Sequence, residues 1–562
     1  MKVVIVGGVA GGASVATRLR RMDERAEIIV LERGPYISFA NCGLPYYIGG
    51  IILNRDSLLI QTPAALRATF NVDARVHSEV IEIDRGAKQV TVQDLDTGHT
   101  YKESYEKLVL SPGAAPFVPP VPGHDLPGVF VLRTIPNMDA IKAFVDERGP
   151  SKAVVVGGGF IGLELAENLH RRGTQITLVE MMSQVMAPLD YEMAALVHQH
   201  LQAKGVRLAL GDGLRAISST PDGRLTVTLQ SGRCADAELV ALSIGVRPEN
   251  RVAQAAGLEL GVRGTLATNE YLQTSDPDIY AIGDAAQVKH LVTGQPANVP
   301  LAGPASKQGR MVADHIVGKP VSYRGAQGTS IVKVFDLSAA STGLNERQLR
   351  QADIPCQSAI IHIANHAGNY PGASPMAFKL LFDPQGGGLL GAQIVGKEGV
   401  DKRIDVVATA MRAGMTVFDL EELELAYAPP YGSARDPVNV IGFVASNILR
   451  GDSKMLCWDS VSELDPARDF VLDVRNPSEL LAGAIEGQVN IPLRQLRRRL
   501  DELPRNKRIV VYCQVGQRAY YAYRILVQSG FDAINLSGGF GTYSCATGQQ
   551  SNFDIFEESD GE

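Results

Sequence analysis

Short apolar runs alternate with amphipathic segments near the start of the chain. Lys2–Val6 is an apolar run, Ala13–Met22 has helical periodicity with many small residues, and Glu27–Glu32 is a second apolar run. This pattern predicts a strand–helix–strand unit with a glycine-rich turn after its first strand. The same pattern returns further along as a strand, a helix and a strand at Ala153–Val156, Leu163–Arg172 and Gln175–Glu180.

Later segments have a different pattern. Alternating apolar and amphipathic segments continue until a change in composition near Val321. Residues 330–445 then mix predicted strands with one clear helix, Val400–Gly414, and Ile448–Met455 is interpreted as a linker. A compact strand–helix pattern resumes from Leu456 to Tyr543, with strands predicted at Phe470–Val474 and Ile509–Tyr512 and a helix at Ala519–Gln528. The final residues, Ser551–Glu562, form an acidic tail that we expect to be disordered.

Composition and charge narrow the classes of protein. At about 150 residues per domain, 562 residues predict three to four domains. The net charge of −7 argues against a partner that is a nucleic acid or an anionic membrane, because such proteins usually carry a basic excess. No apolar stretch reaches the length of about 18 residues that a membrane helix needs.

Six cysteines in a chain of this length do not form a disulfide framework or a metal-ligand spacing. Isolated thiols favour a reducing compartment, so we expect a cytoplasmic protein with no metal site. The N-terminal apolar run is interrupted by glycines and followed by an arginine-rich amphipathic segment, which argues against a signal peptide.

The second unit carries a Gly-x-Gly-x-x-Gly turn between its strand and its helix. The glycines permit the tight turn, the close approach of a pyrophosphate and the packing of helix on strand. Glu180 ends the following strand, where a carboxylate binds a ribose 2′-hydroxyl and repels a 2′-phosphate. We therefore predict NADH as ligand, with NADPH as the alternative. The predicted contacts are Gly157, Gly159, Phe160, Ile161, Gly162 and Glu180.

The first unit departs from this motif but keeps its physical features. Its turn consists of Gly7, Val9, Ala10, Gly11 and Gly12 around an open backbone, and Glu32 ends the next strand as the ribose acid. A later buried strand ends in Gly283-Asp284, where the carboxylate can bind a sugar alcohol chain.

Two nucleotide units and Gly283-Asp284 together resemble the flavin-dependent pyridine nucleotide-disulfide reductases over residues 1 to about 445. The resemblance implies bound FAD and a homodimer. It also implies further cofactor contacts at Arg33, Asn41, Cys42, Val80, Ser111, Pro112, Gly113, Gly245, Pro300, Leu301 and Ala302.

Cys42 stands alone in the segment Ser38–Tyr46, where members with two redox cysteines have a CxxxxC pair. A single thiol must pair with a substrate sulfur or become a sulfenic acid. The segment resembles the single-cysteine branch, most closely its coenzyme A-linked members. That resemblance implies catalytic roles for Tyr427 and Tyr431 and substrate contacts at Ser14, Arg18, Arg21, Ser38, Asn41, Asn298, Tyr370 and Arg435.

The C-terminal module has Cys513 after a strand, followed by a short loop, Arg518 and a helix. Loop N–H groups at a helix N-terminus and an arginine favour a thiolate or a persulfide anion, so both residues are predicted to be catalytic. Asp473 and Arg475 are interpreted as residues that hold the loop. This module resembles a single rhodanese domain.

These observations predict an α/β protein with two Rossmann-like dinucleotide-binding domains, an α+β dimerisation domain and a C-terminal α/β rhodanese domain. The expected boundaries are FAD-binding 1–111 and 245–320, NAD(H)-binding 112–244, dimerisation 321–447, linker 448–455, rhodanese 456–550 and tail 551–562. The expected activity is NADH-dependent reduction of coenzyme A disulfide, coenzyme A persulfide or polysulfide. Two alternatives stay open, an NADH oxidase or peroxidase with a Cys42 sulfenate and a non-enzymatic sulfur sensor.

Overall fold

The computed structural model describes residues 1–549, so the predicted acidic tail lies outside the described residues. The chain divides into two compact units, and each is described here by itself. The first comprises residues 1–183 and 206–328, and the second comprises residues 184–205 and the chain from 329 onward. Within the described residues no helix is both long enough and apolar enough to cross a membrane.

The first unit contains a parallel five-stranded sheet built from the N-terminal strand–helix–strand pattern. Its order across the sheet is Ile279–Ala281, Lys107–Leu110, Lys2–Val6, Glu27–Leu31 and Asp73–Arg75. The helix Ala10–Met22 packs closely on the helix Ala302–Ile316, since a Cβ on Gly309 would lie 2.6 Å from the carbonyl oxygen of Gly11. The other face of the parallel sheet packs on an antiparallel sheet of Ser78–Asp84, Gln89–Asp94 and Thr100–Ser104.

A second parallel five-stranded sheet in the same unit repeats this arrangement. Its order is Arg207–Leu210, Gln175–Glu180, Lys152–Val156, Leu239–Leu242 and Val129–Phe130. The helices that belong to it in sequence are Ile135–Arg148 and Phe160–Arg171. The smaller strands of this part are Leu214–Ser219, Leu225–Leu229 and Cys234–Ala237 in one antiparallel sheet and Ala114–Pro116 with Val246–Pro248 in another.

The second unit begins with an antiparallel five-stranded sheet. Its order is Ser330–Val334, Leu337–Gly343, Leu389–Gly396, Pro375–Phe382 and Gln357–Ala364. The longer helices of this part are Tyr191–Ala203, Val400–Ala413 and Pro437–Leu449. The shorter helices of both units are Leu44–Ile48, Pro63–Phe70, Arg251–Ala255, Glu346–Gln351, Val417–Glu422 and Leu493–Leu496.

A third parallel five-stranded sheet completes the second unit. Its order is Met455–Leu456, Ala533–Leu536, Arg508–Tyr512, Asp469–Asp473 and Val489–Asn490. The helices Gln517–Gln528 and Gly539–Ala546 follow two of these strands. Apolar side chains from the sheet and from the first of these helices form one buried core.

The predicted α/β fold class, with two Rossmann-like domains, a dimerisation domain and a rhodanese domain, is confirmed. The errors of the sequence-based prediction lie mainly at the ends of helices and strands. The first helix begins at Ala10 rather than Ala13, because Gly11 and Gly12 already belong to its first turn. The second helix begins at Phe160 rather than Leu163 for the same reason. The helix Pro437–Leu449 extends into the predicted linker, and a strand begins at Met455. The domain boundaries themselves stay predictions.

Candidate functional site

The two glycine-rich turns of the first unit have matching geometry. A Cβ on Gly7 would lie 2.1 Å from the carbonyl oxygen of Ser111, and a Cβ on Gly157 would lie 2.3 Å from that of Ser243. Both glycines have positive φ, so a side chain is excluded by conformation and by space. Gly159, in contrast, has open space where its Cβ would be. Strand, turn and helix therefore leave exposed backbone at Gly159, which is what a bound pyrophosphate requires.

The two predicted ribose acids are also held alike. Glu32 accepts hydrogen bonds from the backbone N–H of Gly8 at 2.9 Å and of Gly34 at 2.8 Å. Glu180 accepts them from Gly158 at 2.7 Å and from Met182 at 2.8 Å. Each carboxylate is thereby fixed beside its turn, and each of its oxygens keeps a second lone pair for a sugar hydroxyl. The residues present fit two dinucleotides.

Other predicted cofactor residues border the first turn. The side chain of Ser111 lies 2.6 Å from the position of a Gly11 Cβ, while Pro112 and Gly113 follow the same strand. Gly283-Asp284 begins a short turn after its strand, and the N–H of Gly283 donates to Gln308. The remaining predicted positions are placed as follows: Pro300, Leu301 and Ala302 lead into the helix Ala302–Ile316, Val80 is buried in the adjoining core, Arg33 pairs with Glu249, and Gly245 has positive φ.

Cys42 lies in the short turn Asn41–Gly43, and its thiol is exposed. Partial burial raises the pKa of the thiol, and the negative charges of Glu164 and Asp284 raise it further, while the positive charge of Arg133 lowers it. Arg133 also donates to Asp284 at 3.3 Å. The thiol therefore belongs to a site with charges of both signs. Asp284 follows a strand of the first parallel sheet, and Arg133 and Glu164 belong to the segments around the second.

Two members of this site were not predicted from the sequence. The Tyr46 hydroxyl donates to Glu164 Oε1 at 3.1 Å, and burial raises the pKa of Glu164 to about 7. Glu164 is the second residue after Gly162, inside the helix that follows the turn, so no motif distinguishes it from a structural helical glutamate. Arg133 was missed because it lies in an ordinary loop before Thr134.

The predicted substrate residues of the first unit differ in the partners that their side chains already have. Arg18 pairs with Asp314 through two hydrogen bonds of 2.9 and 3.1 Å, whereas the Arg21 side chain donates, within residues 1–549, only to the carbonyl of Thr17. Ser14 lies one turn before Arg18 and bonds to the carbonyl of Ala10. Ser38 is buried and has a left-handed φ of 48°. Asn41 is the first residue of the turn that carries Cys42, and the Asn298 side chain donates to the carbonyl of Asp284.

The predicted tyrosines of the second unit lie on its surface. Tyr427 and Tyr431 are 52% and 73% exposed, and Tyr370 and Arg435 are exposed as well. The segment that carries them is held by buried Arg403, whose guanidinium bonds to Asp436 at 2.9 Å. Exposed aromatic side chains on an anchored segment are available to a second molecule.

Cys513 directly follows the strand Arg508–Tyr512 and is fully buried. The backbone N–H of Gly516 points at its Sγ from 3.2 Å, as expected for a loop that stabilises a sulfur anion. Gly539 lies behind this loop with a φ of 64°, and a Cβ there would lie 2.5 Å from the carbonyl oxygen of Cys513. Gly539 is therefore required for the shape of the loop.

A chain of charged groups supports the Cys513 loop. Buried Arg475 bonds to Asp473 at 2.7 Å and to the Gln514 side chain at 3.2 Å, which confirms their interpretation as residues that hold the loop. Arg518 pairs with Glu479 through bonds of 2.7 and 2.5 Å. Burial alone would raise the pKa of Glu479, but its bonds with Arg518 and the Asn476 N–H lower it overall. Glu479 was missed because it lies far from Cys513 in sequence.

The comparisons with known proteins agree with this geometry. A family profile described as pyridine nucleotide-disulphide oxidoreductase matches residues 1–309. The chain belongs to this family. A profile of the dimerisation domain of the same family matches residues 329–437, and a rhodanese-like domain profile matches residues 459–544. Membership implies an oxidoreductase that uses FAD and NAD(P)H.

Several relatives of this oxidoreductase share most of its length. Coenzyme A disulfide reductase of Staphylococcus haemolyticus is 36% identical over 448 residues, which is 80% of this chain and 100% of that protein. The crystal structure of reduced Bacillus anthracis CoADR-RHD is 50% identical, with 97% of this chain and 98% of that chain covered and a TM-score of 0.95. A NAD-dependent persulfide reductase from A. fulgidus is 38% identical, with coverages of 97% and 100% and a TM-score of 0.91.

Proposed function

We propose that this oxidoreductase uses NADH to reduce coenzyme A disulfide, coenzyme A persulfide or polysulfide at Cys42, and that Cys513 carries sulfane sulfur. The observation that carries the proposal is the exposed Cys42 thiol in a site with Asp284, Arg133 and Glu164 around it. The names of the relatives, coenzyme A disulfide reductase and persulfide reductase, support the substrate class.

The Cys42 thiolate attacks one sulfur of the substrate S–S bond. A new S–S bond forms between Cys42 and that sulfur, and the other sulfur leaves with the electron pair as a thiolate or as hydrosulfide. FAD held by the Gly7–Gly12 turn, Glu32 and Asp284 would supply the two electrons, drawn from NADH, that reduce this mixed disulfide. Glu164, whose pKa is raised to about 7, can hold a proton at neutral pH and is proposed to protonate a leaving thiolate.

Residues of this chain would hold the nucleotides and the substrate. The Gly7–Gly12 turn, Glu32 and Asp284 are proposed to bind FAD, and the Gly157–Gly162 turn and Glu180 to bind NADH in preference to NADPH. Arg21, which has no carboxylate partner among residues 1–549, is proposed to bind a phosphate of coenzyme A. Arg18 would have to share its charge with Asp314.

The second unit is proposed to complete the site in a homodimer. Tyr427 and Tyr431 are exposed in a single chain, and both belong to residues 329–437, which match the profile of the dimerisation domain. In a dimer these side chains would reach the flavin site of the other subunit. A reducing, cytoplasmic location fits the free thiols of this proposal.

Anaerobic NADH consumption with the three substrates in parallel tests the proposal. We expect turnover with coenzyme A disulfide and faster turnover with coenzyme A persulfide or polysulfide, since the chain carries Cys513 in addition to Cys42. NADH consumption that requires oxygen or peroxide and ignores all three substrates would instead support the oxidase alternative. Flavin that NADH does not reduce would support the sensor.

A further inference from the structure

An open cleft on the rhodanese module is not used by the function proposed above. It has a volume of about 590 Å³ and is lined by Arg497, Leu500, Tyr521, Arg524, Ile525 and Gln528. This volume lies in the range of sites that bind small organic ligands. Two guanidinium groups beside aliphatic and aromatic side chains suit a ligand with both phosphates and an apolar arm.

Of the two arginines that line the cleft, Arg524 pairs with Asp452, and Arg497 has no carboxylate partner among residues 1–549. Within residues 1–549, the side chain of Arg497 donates no hydrogen bond, and the same holds for Arg494 and Arg498, which belong to the same segment but do not line the cleft. Arg524 uses one nitrogen, Nη1, for Asp452, and its other two nitrogens donate to no group of the described residues. Nearby Arg499, in contrast, is bound by Glu502 through two bonds of 2.7 Å. Unpaired guanidinium groups attract anions and pair well with phosphate.

The cleft is connected to Cys513 by one helix. The helix Gln517–Gln528 begins directly after Gly516, whose N–H points at the Cys513 sulfur. Gln517, Tyr521, Arg524 and Gln528 are spaced three or four apart and therefore share one face. Gln517 donates to the Tyr521 hydroxyl at 3.1 Å, so this face is continuous from the sulfur loop to the cleft. Twelve helical residues span about 18 Å.

A ligand that matches this face has sulfur at one end, a long flexible arm, and phosphates at the other end. We propose that the cleft binds the phosphate end of coenzyme A, so that coenzyme A persulfide delivers its outer sulfur to Cys513 or receives sulfur from it. This inference rests on the proposed function and names the sulfur donor of its rhodanese site. Inorganic anions have the charge but lack the arm, and small persulfides have the sulfur but lack the phosphates.

The transfer step balances without any further reactant. The Cys513 thiolate attacks the outer sulfur of coenzyme A persulfide, a new S–S bond forms on Cys513, and the S–S bond of the donor breaks. The electron pair leaves on the coenzyme A thiolate, and the proton of the outer sulfur stays with the new persulfide. The reverse step loads free coenzyme A with sulfur and yields a substrate for Cys42.

The experiment compares two sulfur donors on the full-length enzyme without NADH. The rate at which Cys513 gains one sulfur is followed by peptide mass spectrometry with coenzyme A persulfide and with cysteine persulfide, which lacks phosphates. We expect Arg497→Ala to lower the rate with coenzyme A persulfide about tenfold and to leave the rate with cysteine persulfide unchanged. Arg497→Lys should retain most of the rate because it keeps the charge.

Arg499→Ala is the matched control, since Arg499 belongs to the same segment but is neutralised by Glu502. It should leave both rates unchanged. An equal loss with both donors, no loss with coenzyme A persulfide, or the same loss in Arg499→Ala would each overturn the assignment of the cleft. NADH-dependent reduction of coenzyme A disulfide by Arg497→Ala should equal that of the wild type. If the wild type does not reduce coenzyme A disulfide with NADH, that result would refute the proposed reductase instead.

Discussion

The Cys42 and Cys513 sites present a thiol in opposite ways. Cys42 is exposed on a three-residue turn. Partial desolvation of its thiol and the negative charges of two carboxylates raise the pKa of the thiol. Cys513 is fully buried in a loop that directs a backbone N–H at its sulfur. The difference fits the proposed roles, in which Cys42 admits a bulky disulfide and is regenerated by electrons, whereas Cys513 holds a small sulfur anion.

The residues around the two thiols differ as well. Around Cys513, Gly539 packs against the loop backbone and a bonded pair, Arg518 with Glu479, fixes the charge beside it. Around Cys42, titratable groups predominate, and Glu164 changes charge near neutral pH. A loop fixed by packing should fail when its shape changes, and a site governed by titration should respond to pH.

The largest expected effect comes from Cys42→Ser. A hydroxyl cannot form the mixed disulfide, so NADH-dependent reduction of every disulfide or persulfide should fall to the background rate, while NADH still bleaches the flavin. Steady-state and stopped-flow absorbance measure the two steps. Cys234→Ser, which removes another exposed thiol of the same unit, should behave as wild type. Substantial residual turnover in Cys42→Ser would remove the electron-carrying role from this side of the comparison.

Gly539→Ala should have the next largest effect, confined to the Cys513 side. The left-handed φ costs about 1–2 kcal/mol, and the new Cβ would collide with the Cys513 carbonyl oxygen, so sulfur transfer should fall by about a hundredfold or more. Gly548→Ala has the same sign of φ but open space around its Cβ, so it separates strain from collision. Sulfur transfer that survives in Gly539→Ala would show that the loop is not fixed by packing.

The sequence predicted these two thiols but not the groups that distinguish them. The glycine turns, both ribose acids, Cys42, Cys513 and Arg518 follow short motifs whose spacing reflects local backbone geometry. Arg133, Glu164 and Glu479 act on the thiols through contacts between segments that are distant in sequence. The pairing of Arg18 with Asp314 also depends on such packing, since the two helices meet only in the folded unit.

Glu479→Gln should lower sulfur transfer by about tenfold. The amide keeps the size of the side chain but loses the charge-assisted bonds that hold Arg518 beside the loop. Transfer to Cys513 is measured from a small donor such as thiosulfate, and coenzyme A disulfide reduction should be unaffected. Glu486→Gln, an exposed acid of the same module, is the control. Equal transfer rates in Glu479→Gln and wild type would show that the pair does not serve the sulfur site.

The smallest expected effect is a pH shift in Glu164→Gln. Above about pH 7 Glu164 is ionised and raises the pKa of the Cys42 thiol, so its removal should move the midpoint of Cys42 alkylation to lower pH by a fraction of a unit. Below that pH the wild-type carboxyl is protonated, and the two proteins should react alike. Alkylation rates between pH 6 and 10 (about the range that brackets both groups) measure the shift, with Glu147→Gln as an exposed control. An upward shift would contradict the electrostatic account.

The most direct test of the division of labour identifies what each thiol carries. Full-length enzyme is treated anaerobically with coenzyme A disulfide in one sample and with a sulfane-sulfur donor in another, and the peptides of Cys42 and Cys513 are weighed by mass spectrometry. The account predicts coenzyme A on Cys42 but not on Cys513 in the first sample, because attack on the disulfide would leave the whole coenzyme A group bonded to a fully buried thiol. It predicts one added sulfur on Cys513 in the second sample, because the outer sulfur of a persulfide carries no bulky group, whereas both sulfurs of coenzyme A disulfide do. Coenzyme A on Cys513, or sulfur retained on Cys42 alone, would contradict it.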